Sequence, residues 1–242
     1  SSVNSGTYPI DNKLYAMGPL DSSVVLYGNR KYLSAIKARI PKGVDDAWTA
    51  EEFQSNMQKL ATVPGVKWPL DIFRSYGITS EWVTYGYSPA LQSAGCDLIN
   101  RKTWKSVGTL DSAPCVKTLS MWQDWVKKGW IVPATAGTNS LFSEGNPAAL
   151  AWGGHWIYAE AVKTMGDNLV VMPLPKFGPK SASPNGTWTW SITKASKNPE
   201  LAGKFLSFFF KDKPYREFLV SLGEFPGMKS IAAASPAYSG KG

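Results

Sequence analysis

Short apolar segments alternate along the chain with longer amphipathic segments, and this alternation restricts the possible folds more than any other feature. Ala148–Trp152 and Leu169–Met172 are predicted to be buried strands. Thr49–Glu52 is a capping-box pattern that predicts a helix start, and Ser112–Pro114 opens the longest predicted helix, which ends at Gly129. Strands mixed with helices of about 10–15 residues indicate an α/β fold.

Finer patterns predict how further elements form and how one helix is buried. In the longest helix, four apolar residues fall on one stripe: Cys115, Leu119, Trp122 and Val126. The alternating segment Trp188–Ile192 predicts another strand. Two more helices are predicted over Leu201–Phe210 and Pro214–Leu222.

Composition excludes several classes of protein. The 242 residues are 43% apolar and 18% charged, which suits one large domain or two small lobes rather than a disordered chain. No apolar run approaches the roughly 18 residues of a membrane span. The net charge of +8 comes from scattered lysines and arginines without a basic run, so we expect a solvated surface and no nucleic-acid partner.

Two cysteines, Cys96 and Cys115, can form one disulfide around a turn-rich stretch. Such a bond would fit an oxidising compartment. The alternative is a pair of buried thiols. The spacing matches neither a redox C-x-x-C motif nor a zinc site.

Catalytic constellations are scarce. His155 is the only histidine, and no nucleophile elbow, phosphate-binding loop or dinucleotide fingerprint occurs, so we expect no cofactor, no metal and no catalytic residue. A glycoside hydrolase with two carboxylates remains an alternative, with Asp21 and Glu81 as the acids nearest to aromatic residues.

Aromatic residues are the most unusual part of the composition. Eleven tryptophans occur, and several stand beside Gly, Thr or Ser in three clusters, Trp82–Tyr87, Trp152–Trp156 and Gly186–Trp190. A sugar offers an apolar face for stacking and a rim of hydroxyls for polar groups, so an aromatic cleft for carbohydrate is one interpretation. The alternative is that these rings belong to the core.

The order of several motifs resembles that of the bacterial extracellular solute-binding proteins of family 1, which include maltose-binding protein. Five segments carry the resemblance in collinear order: Lys13–Tyr27, Trp48–Phe53, Ser88–Gly95, Ala148–Trp156 and Gly186–Ala202. The resemblance extends from Lys13 to Pro236. Gly95–Cys96 stands where the family has two glycines, and Cys115 replaces a small residue; together these departures favour a disulfide particular to this chain.

The resemblance implies a two-lobed, periplasmic-binding-protein-like α/β fold of type II that is incomplete at both termini. It assigns residues 1–29 to part of the first lobe and a hinge strand, and 30–169 to the second lobe. Residues 170–228 return to the first lobe, and 229–242 form a hinge back toward the second.

The resemblance also implies which residues contact a ligand. Asp21 corresponds to an acid that binds sugar hydroxyls, and Tyr85 to an aromatic that lines the sugar, with Trp82 and Tyr87 as further candidates. Trp156 corresponds to a stacking tryptophan, with His155 beside it. The resemblance also implies that Trp188 faces the ligand cleft and that Asn185 and Gly186 lie at the opening of this cleft.

The function implied is that of a periplasmic or extracellular, membrane-attached receptor of an ABC transporter. It binds a mono- or oligosaccharide in an aromatic cleft between its lobes and delivers it, as a monomer and without chemistry, to the membrane permease. The alternatives are the glycoside hydrolase and a fragment that keeps its fold as an interaction module without transport. A non-sugar ligand such as glycerol phosphate or a polyamine is also open.

Overall fold

The structure, a computed structural model, describes residues 9–10, 13–136, 147–211, 213, 215, 218–219 and 225–226. The chain divides into two compact units. The larger unit is Val24–Pro184, and the smaller unit combines Ser1–Ser23 with Asn185–Gly242. The sequence-based lobe boundaries at residues 29, 169 and 228 stay predictions, and 229–242 lies outside the described residues.

A four-stranded mixed sheet organises the larger unit. Its strands are β4 (Val24–Asn29), β5 (Trp68–Asp71), β6 (Ala148–Gly154) and β7 (Leu169–Met172), in the order β5-β6-β4-β7. Strand β6 runs parallel to β5 and antiparallel to β4, and β4 is antiparallel to β7. Both apolar segments predicted as strands are therefore confirmed. All seven residues of β6 are buried, as the continuous apolar run requires.

Helices and short 3₁₀ turns surround this sheet. The helices of the larger unit are α1 (Arg30–Ala35), α2 (Ala50–Leu60), α3 (Trp82–Tyr85), α4 (Ser88–Ser93), α5 (Ala113–Lys127) and α6 (Tyr158–Met165). The 3₁₀ turns are Val44–Asp46, Arg74–Tyr76, Ala134–Ala136, His155–Ile157 and Gly166–Asn168. Within the described part of the chain, no helix is both long and apolar enough to cross a lipid bilayer.

The start of α2 follows the capping pattern in its sequence. The side chain of Thr49 accepts a hydrogen bond from the backbone N–H of Glu52 at 3.2 Å, as an N-cap residue does. The Glu52 carboxylate pairs with Arg39 at 2.7 Å. Three apolar side chains on the inner face of α2 are fully buried: Phe53, Met57 and Leu60.

Helix α5 ends where its sequence predicts. Gly129 has a φ of +71°, and its N–H donates to Val126, while the N–H of Trp130 donates to Trp125. These two bonds form a Schellman motif, which satisfies carbonyls at the end of the helix. A residue with a Cβ is strained at this φ, so the glycine is what allows the chain to turn here.

The predicted stripe on α5 is wrong at two of its four positions. Cys115 and Trp122 are buried, but Leu119 and Val126 are 46% and 38% exposed. The buried face instead continues through Thr118 and Trp125. Both faces carry apolar residues, and the larger indole of Trp125 fills the space between two other rings, Phe53 and Trp122. The spacing of apolar residues along α5 does not include the packing of Trp125 against these rings.

Among its described residues, the smaller unit contains short antiparallel pairs and the helix α7 (Pro199–Phe209). The pairs join β1 (Pro9–Ile10) to β2 (Lys13–Leu14) and β3 (Leu20–Asp21) to β8 (Phe225–Pro226). Helix α7 spans Pro199–Phe209, confirming the helix predicted at Leu201–Phe210. A small core gathers around β3: Leu20, Tyr215 and Leu219, with Phe209, Phe210 and Phe218 packed against it.

Two sequence predictions in the smaller unit have different outcomes. The strand over Trp188–Ile192 is wrong, because only Trp190 pairs with another segment, at Met17. Alternation alone does not supply a partner, and an isolated bridge does not make a strand. Of the helix predicted over Pro214–Leu222, Tyr215, Phe218 and Leu219 are helical, and the remaining positions lie outside the described residues.

The disulfide is confirmed. Cys96 follows α4 and Cys115 lies in the first turn of α5, and their Cα atoms are 5.8 Å apart. The bond closes a loop whose ends are 19 residues apart in sequence. It therefore ties two helices of the larger unit across a long connection.

Removal of the disulfide is the first testable prediction. Closure of a loop of this length stabilises the folded state by about 3 kcal/mol in the chain-entropy account. We expect the Cys96→Ser, Cys115→Ser variant to lose about 2–3 kcal/mol of unfolding free energy, measured by urea denaturation. Dithiothreitol should lower the stability of the natural chain by a similar amount and leave the variant unchanged; equal sensitivity of both proteins would contradict the assignment.

The observed face of α5 leads to a second prediction. Trp125 is fully buried, so Trp125→Ala should cost about 3–5 kcal/mol. Leu119→Ala, on the face that the structure leaves exposed, should cost less than about 1 kcal/mol. Thermal and urea unfolding of the two variants compare the two faces directly, and similar losses would favour the stripe read from the sequence.

Candidate functional site

A cluster of aromatic rings lies where β6 ends in the larger unit. We call Tyr76, Trp82, Tyr85 and Trp156 the aromatic platform. Trp156 belongs to the 3₁₀ turn His155–Ile157, directly after the buried strand, and its side chain is 42% exposed. The chain thus passes within two residues from a strand without solvent contact to a large ring at the surface.

Two glycines at the end of β6 make room for this turn. A Cβ on Gly154 would collide with the six-membered ring of Trp156. A Cβ on Gly153 would lie 2.6 Å from Ile157 and 2.9 Å from Phe73. Real Cβ atoms do not approach neighbours this closely, so a side chain at position 154 would displace the Trp156 ring, and one at position 153 would shift Ile157 or Phe73.

Trp82 is the buried member of the aromatic platform. It is only 4% exposed, and its indole N–H donates to the carbonyl of Ile72 at 2.9 Å. The Trp82 ring meets the Trp156 ring edge-on, with centroids 5.7 Å apart. A buried tryptophan whose polar atom is satisfied is a stable base for a neighbouring ring. Its predicted role in ligand contact stays a prediction.

Tyr76 reaches the platform through a sharp turn after β5. The buried Asp71 carboxylate accepts a hydrogen bond from the backbone N–H of Phe73 at 2.8 Å, and Phe73 adopts a left-handed conformation with φ +52°. The following 3₁₀ turn stacks Tyr76 on Phe73, with centroids 5.3 Å apart. The hydroxyl of Tyr76 then accepts a hydrogen bond from the Trp156 indole N–H at 3.4 Å.

The two tyrosines of the platform are half-buried. Tyr85 lies 6.3 Å from Trp156 between centroids, with planes 31° apart, so the two rings form neighbouring facets. Desolvation by burial raises the pKa of Tyr76, while the hydrogen bond from Trp156 lowers it. The phenol therefore stays neutral at physiological pH and keeps its O–H donor.

His155 is buried beside the exposed ring. It is 9% exposed, and its ring meets Trp156 edge-on at 5.5 Å. Among the described residues, no group of three or more His, Cys, Asp or Glu side chains has a geometry that could hold a metal ion. His155 thus packs against Trp156 at the platform, and its predicted role in ligand contact stays a prediction.

Three other predicted residues, Asp21, Gly186 and Trp188, lie in the smaller unit. The backbones of Ser22 and Gly186 exchange two hydrogen bonds, of 2.8 and 3.1 Å, and Met17 pairs with Trp190 further along. This short ladder brings Asp21 close in register to Gly186. Trp188, two residues on, is 71% exposed.

One oxygen of the Asp21 carboxylate lacks a hydrogen bond within the described part of the chain. This oxygen, Oδ1, is buried. Burial raises the pKa of this carboxyl from its ordinary value. A desolvated oxygen without a partner is the kind of group that gains most from a hydroxyl donor supplied by a ligand.

The predicted site residues therefore fall into two groups. Trp82, Tyr85, His155 and Trp156 gather in the larger unit, whereas Asp21, Gly186 and Trp188 gather in the smaller. Glu81, the second acid of the hydrolase alternative, is exposed in the larger unit. Sequence reasoning missed Tyr76, although an aromatic residue beside Gly77 follows the same pattern as the recognised clusters.

A cavity of about 500 Å³ lies elsewhere in the larger unit, at the starts of α2 and α5. Its walls include Glu51, Gln54, Lys117 and Phe177, and none of the platform residues. Hydrogen bonds from its own backbone N–H and from Thr49, and to a smaller extent the charge of Lys117, lower the pKa of Glu51. The aromatic platform is thus separate from this cavity.

Known proteins share both the sequence pattern and the fold. Residues 2–241 match the family model of "Bacterial extracellular solute-binding protein". The maltodextrin-binding protein MdxE of Bacillus subtilis (strain 168) is 24% identical over 229 residues, covering 90% of this chain and 51% of the relative. The galactooligosaccharide-binding protein of the same organism is 26% identical over 231 residues, with 92% and 51% covered. The chain spans about half the length of these curated relatives.

Solved structures show the fold at low sequence identity. The GacH receptor of Streptomyces glaucescens has a TM-score of 0.73 at 20% identity, covering 99% of this chain and 61% of the receptor. A solute-binding protein of Thermotoga lettingae, bound with α-D-tagatose, has a TM-score of 0.75 at 20% identity, with 98% and 63% covered. UgpB of Mycobacterium tuberculosis, in complex with glycerophosphocholine, reaches 0.76 at 17% identity, with 96% and 56% covered.

These likenesses confirm the expected fold class, a mixed α/β fold like that of two-lobed solute-binding proteins. The family model covers nearly the whole sequence. This chain belongs to the bacterial extracellular solute-binding proteins, a family of binding proteins rather than enzymes.

Proposed function

We propose that this chain is the carbohydrate-binding part of an extracytoplasmic receptor of an ABC transporter. The observation that carries the proposal is Trp156, a large ring that is 42% exposed although its surroundings hold it rigidly. Trp82 packs against it, Tyr76 engages its only polar atom, and Gly154 sets its distance from the strand. A ring held in this way loses little conformational entropy when a ligand covers it.

Carbohydrate is the ligand class that best fits such a surface. The C–H face of a pyranose ring stacks on an indole, and the neighbouring facet of Tyr85 extends the platform beyond one ring. The neutral phenol of Tyr76 can donate to a hydroxyl at the edge of the sugar. A few polar groups around an apolar surface are typical of small-molecule sites.

The smaller unit contributes a second kind of ligand contact to the proposal. The partly buried Asp21 carboxylate would accept hydrogen bonds from sugar hydroxyls, and exposed Trp188 would offer a further stacking face. Gly186 lies on the same ladder, where backbone can approach a ligand closely. Asp21 is thus the polar candidate contact within the smaller unit.

The names of similar proteins support the same ligand class. Two curated relatives are named for maltodextrin and galactooligosaccharide, and the Thermotoga lettingae structure holds α-D-tagatose. UgpB binds glycerophosphocholine, so a small polyol phosphate is the second candidate ligand. Delivery to a membrane permease, attachment to the membrane, action as a monomer and the absence of catalysis are parts of the proposal. The hydrolase and the interaction module are its alternatives.

The platform can be tested by removing its exposed ring. Trp156→Ala should weaken sugar binding more than tenfold, because it removes the main stacking face. Calorimetric titration of the natural chain with maltodextrins, galactooligosaccharides, tagatose and glycerophosphocholine first selects the ligand. Trp104→Asn is a matched control, because Trp104 is an exposed tryptophan of the same unit outside the platform.

Several outcomes would count against this proposal. Unchanged affinity of the Trp156→Ala variant removes the platform from the site. A folded natural chain that binds none of the sugars favours the interaction module, and turnover of a chromogenic glycoside favours the hydrolase. Preference for glycerophosphocholine over every sugar shifts the proposal to polyol phosphates.

The role of Asp21 predicts a dependence on pH. The ionised carboxylate is the stronger acceptor for sugar hydroxyls, and burial raises its pKa. Affinity for sugar should therefore be highest at neutral pH and fall as the pH drops through this raised pKa. The fall should begin at a higher pH than it would with an aspartate of ordinary pKa. Titrations across mildly acidic pH measure the change.

The Asp21→Asn variant provides the control. It should bind sugar more weakly at neutral pH and lose the pH dependence between neutral and mildly acidic conditions. It should not be less stable than the natural chain, because a carboxylate with a raised folded-state pKa costs folding free energy above that pKa. An unaltered pH profile in Asp21→Asn would assign the titration to another group.

A further inference from the structure

The loop closed by the disulfide is held in one shape by its own hydrogen bonds. We call residues 97–111, which follow Cys96 and lead into α5, the disulfide loop. The side chain of Asn100 accepts bonds from the N–H groups of Lys102 and Thr103, and its own N–H donates to Lys105. Further along, the Asp111 carboxylate accepts a bond from the N–H of Gly108. The loop is therefore organised before it meets any partner.

The same loop presents large apolar side chains to solvent. Trp104 is 72% exposed, and Val107 is 81% exposed. Trp104 also adopts a left-handed conformation with φ +57°, which is unfavourable for a bulky residue. A strained, exposed tryptophan on an ordered loop is not explained by packing, since a smaller residue would fold there more readily.

Basic residues flank this tryptophan. Arg101 pairs with Asp97 at 2.9 Å, whereas Lys102 and Lys105 make no ion pair with any residue that the structure describes. Both lysines are exposed. The tip of the loop thus combines one interfacial aromatic ring, one branched apolar side chain and two cations available to a partner.

We propose that the disulfide loop is a contact surface for an anionic lipid membrane. Tryptophan is enriched at membrane interfaces because its ring is apolar and its N–H polar, and lysines next to it are attracted to anionic headgroups. A protein partner fits less well, because lysine is depleted at protein interfaces. The proposal does not depend on the identity of the ligand at the platform.

The contact is weak by itself. Each lysine near an anionic surface contributes about a fivefold gain in affinity, and one tryptophan with one valine buries a small apolar area. Vesicles rich in anionic lipid make such a contact measurable on the free chain, and tethering close to a bilayer would strengthen it further by raising its effective concentration. It would orient the larger unit relative to the membrane.

The proposal is tested by flotation of the purified 242-residue chain with lipid vesicles at low and high salt. Vesicles of equal parts phosphatidylcholine and phosphatidylglycerol are compared with vesicles of phosphatidylcholine alone. The loop variants are Trp104→Asn, in which asparagine tolerates the positive φ, and the pair Lys102→Gln, Lys105→Gln. Matched controls elsewhere in the larger unit are Val44→Asn, from an exposed valine, and the pair Lys59→Gln, Lys163→Gln.

We expect the natural chain to float with the anionic vesicles only, and less so at high salt. The lysine pair should weaken this binding by roughly 25-fold and Trp104→Asn by at least about fivefold, while the controls bind like the natural chain. Lack of binding to anionic vesicles at low salt overturns the proposal, as does equal loss in loop and control variants. The proposal is also overturned if the chain does not bind vesicles but uses Trp104 to dimerise or to cross-link to a membrane protein.

Discussion

The burial of strand β6 organises most of the larger unit. Its seven residues pair with β5 on one side and β4 on the other, and none of them reaches solvent. Because both edges and both faces of the strand are occupied, its end is fixed in space. The residues directly after Gly154 are therefore held in place by the end of the strand, and the largest of these side chains is Trp156. The candidate site is in this sense an extension of the core.

Aromatic contacts carry this order from the core to the surface. Trp152, in β6, donates its indole N–H to the carbonyl of Gly86 at 2.7 Å, which ties the strand to the segment holding Trp82. Trp82 is bonded to Ile72, at the end of the neighbouring strand. Two different strands therefore hold the ring beside Trp156. A substitution of Trp152 would therefore displace the platform, although Trp152 is not one of its residues.

The elements of the fold follow from local patterns, whereas burial within them does not. The capping pattern at Thr49 and the glycine stop at Gly129 depend on neighbouring residues only, and both appear in the structure as the sequence predicts. The choice between Leu119 and Trp125 as the buried residue of α5 depends on the shape of distant rings, which no local pattern contains. Trp188–Ile192 fails for the same reason, since a strand needs a partner.

The candidate site also has one part that the sequence predicts and another that depends on contacts between distant residues. Motif order pointed to Trp156 and Asp21, but the hydrogen bond from Trp156 to Tyr76 joins residues 80 positions apart and could not be read from the sequence. That bond has a consequence for selectivity. Since the indole N–H is already engaged, a molecule lying on this ring meets only its π face. Recognition there would depend on how flat the molecule's apolar face is, so an axial hydroxyl would matter through its shape more than through its hydrogen bonds.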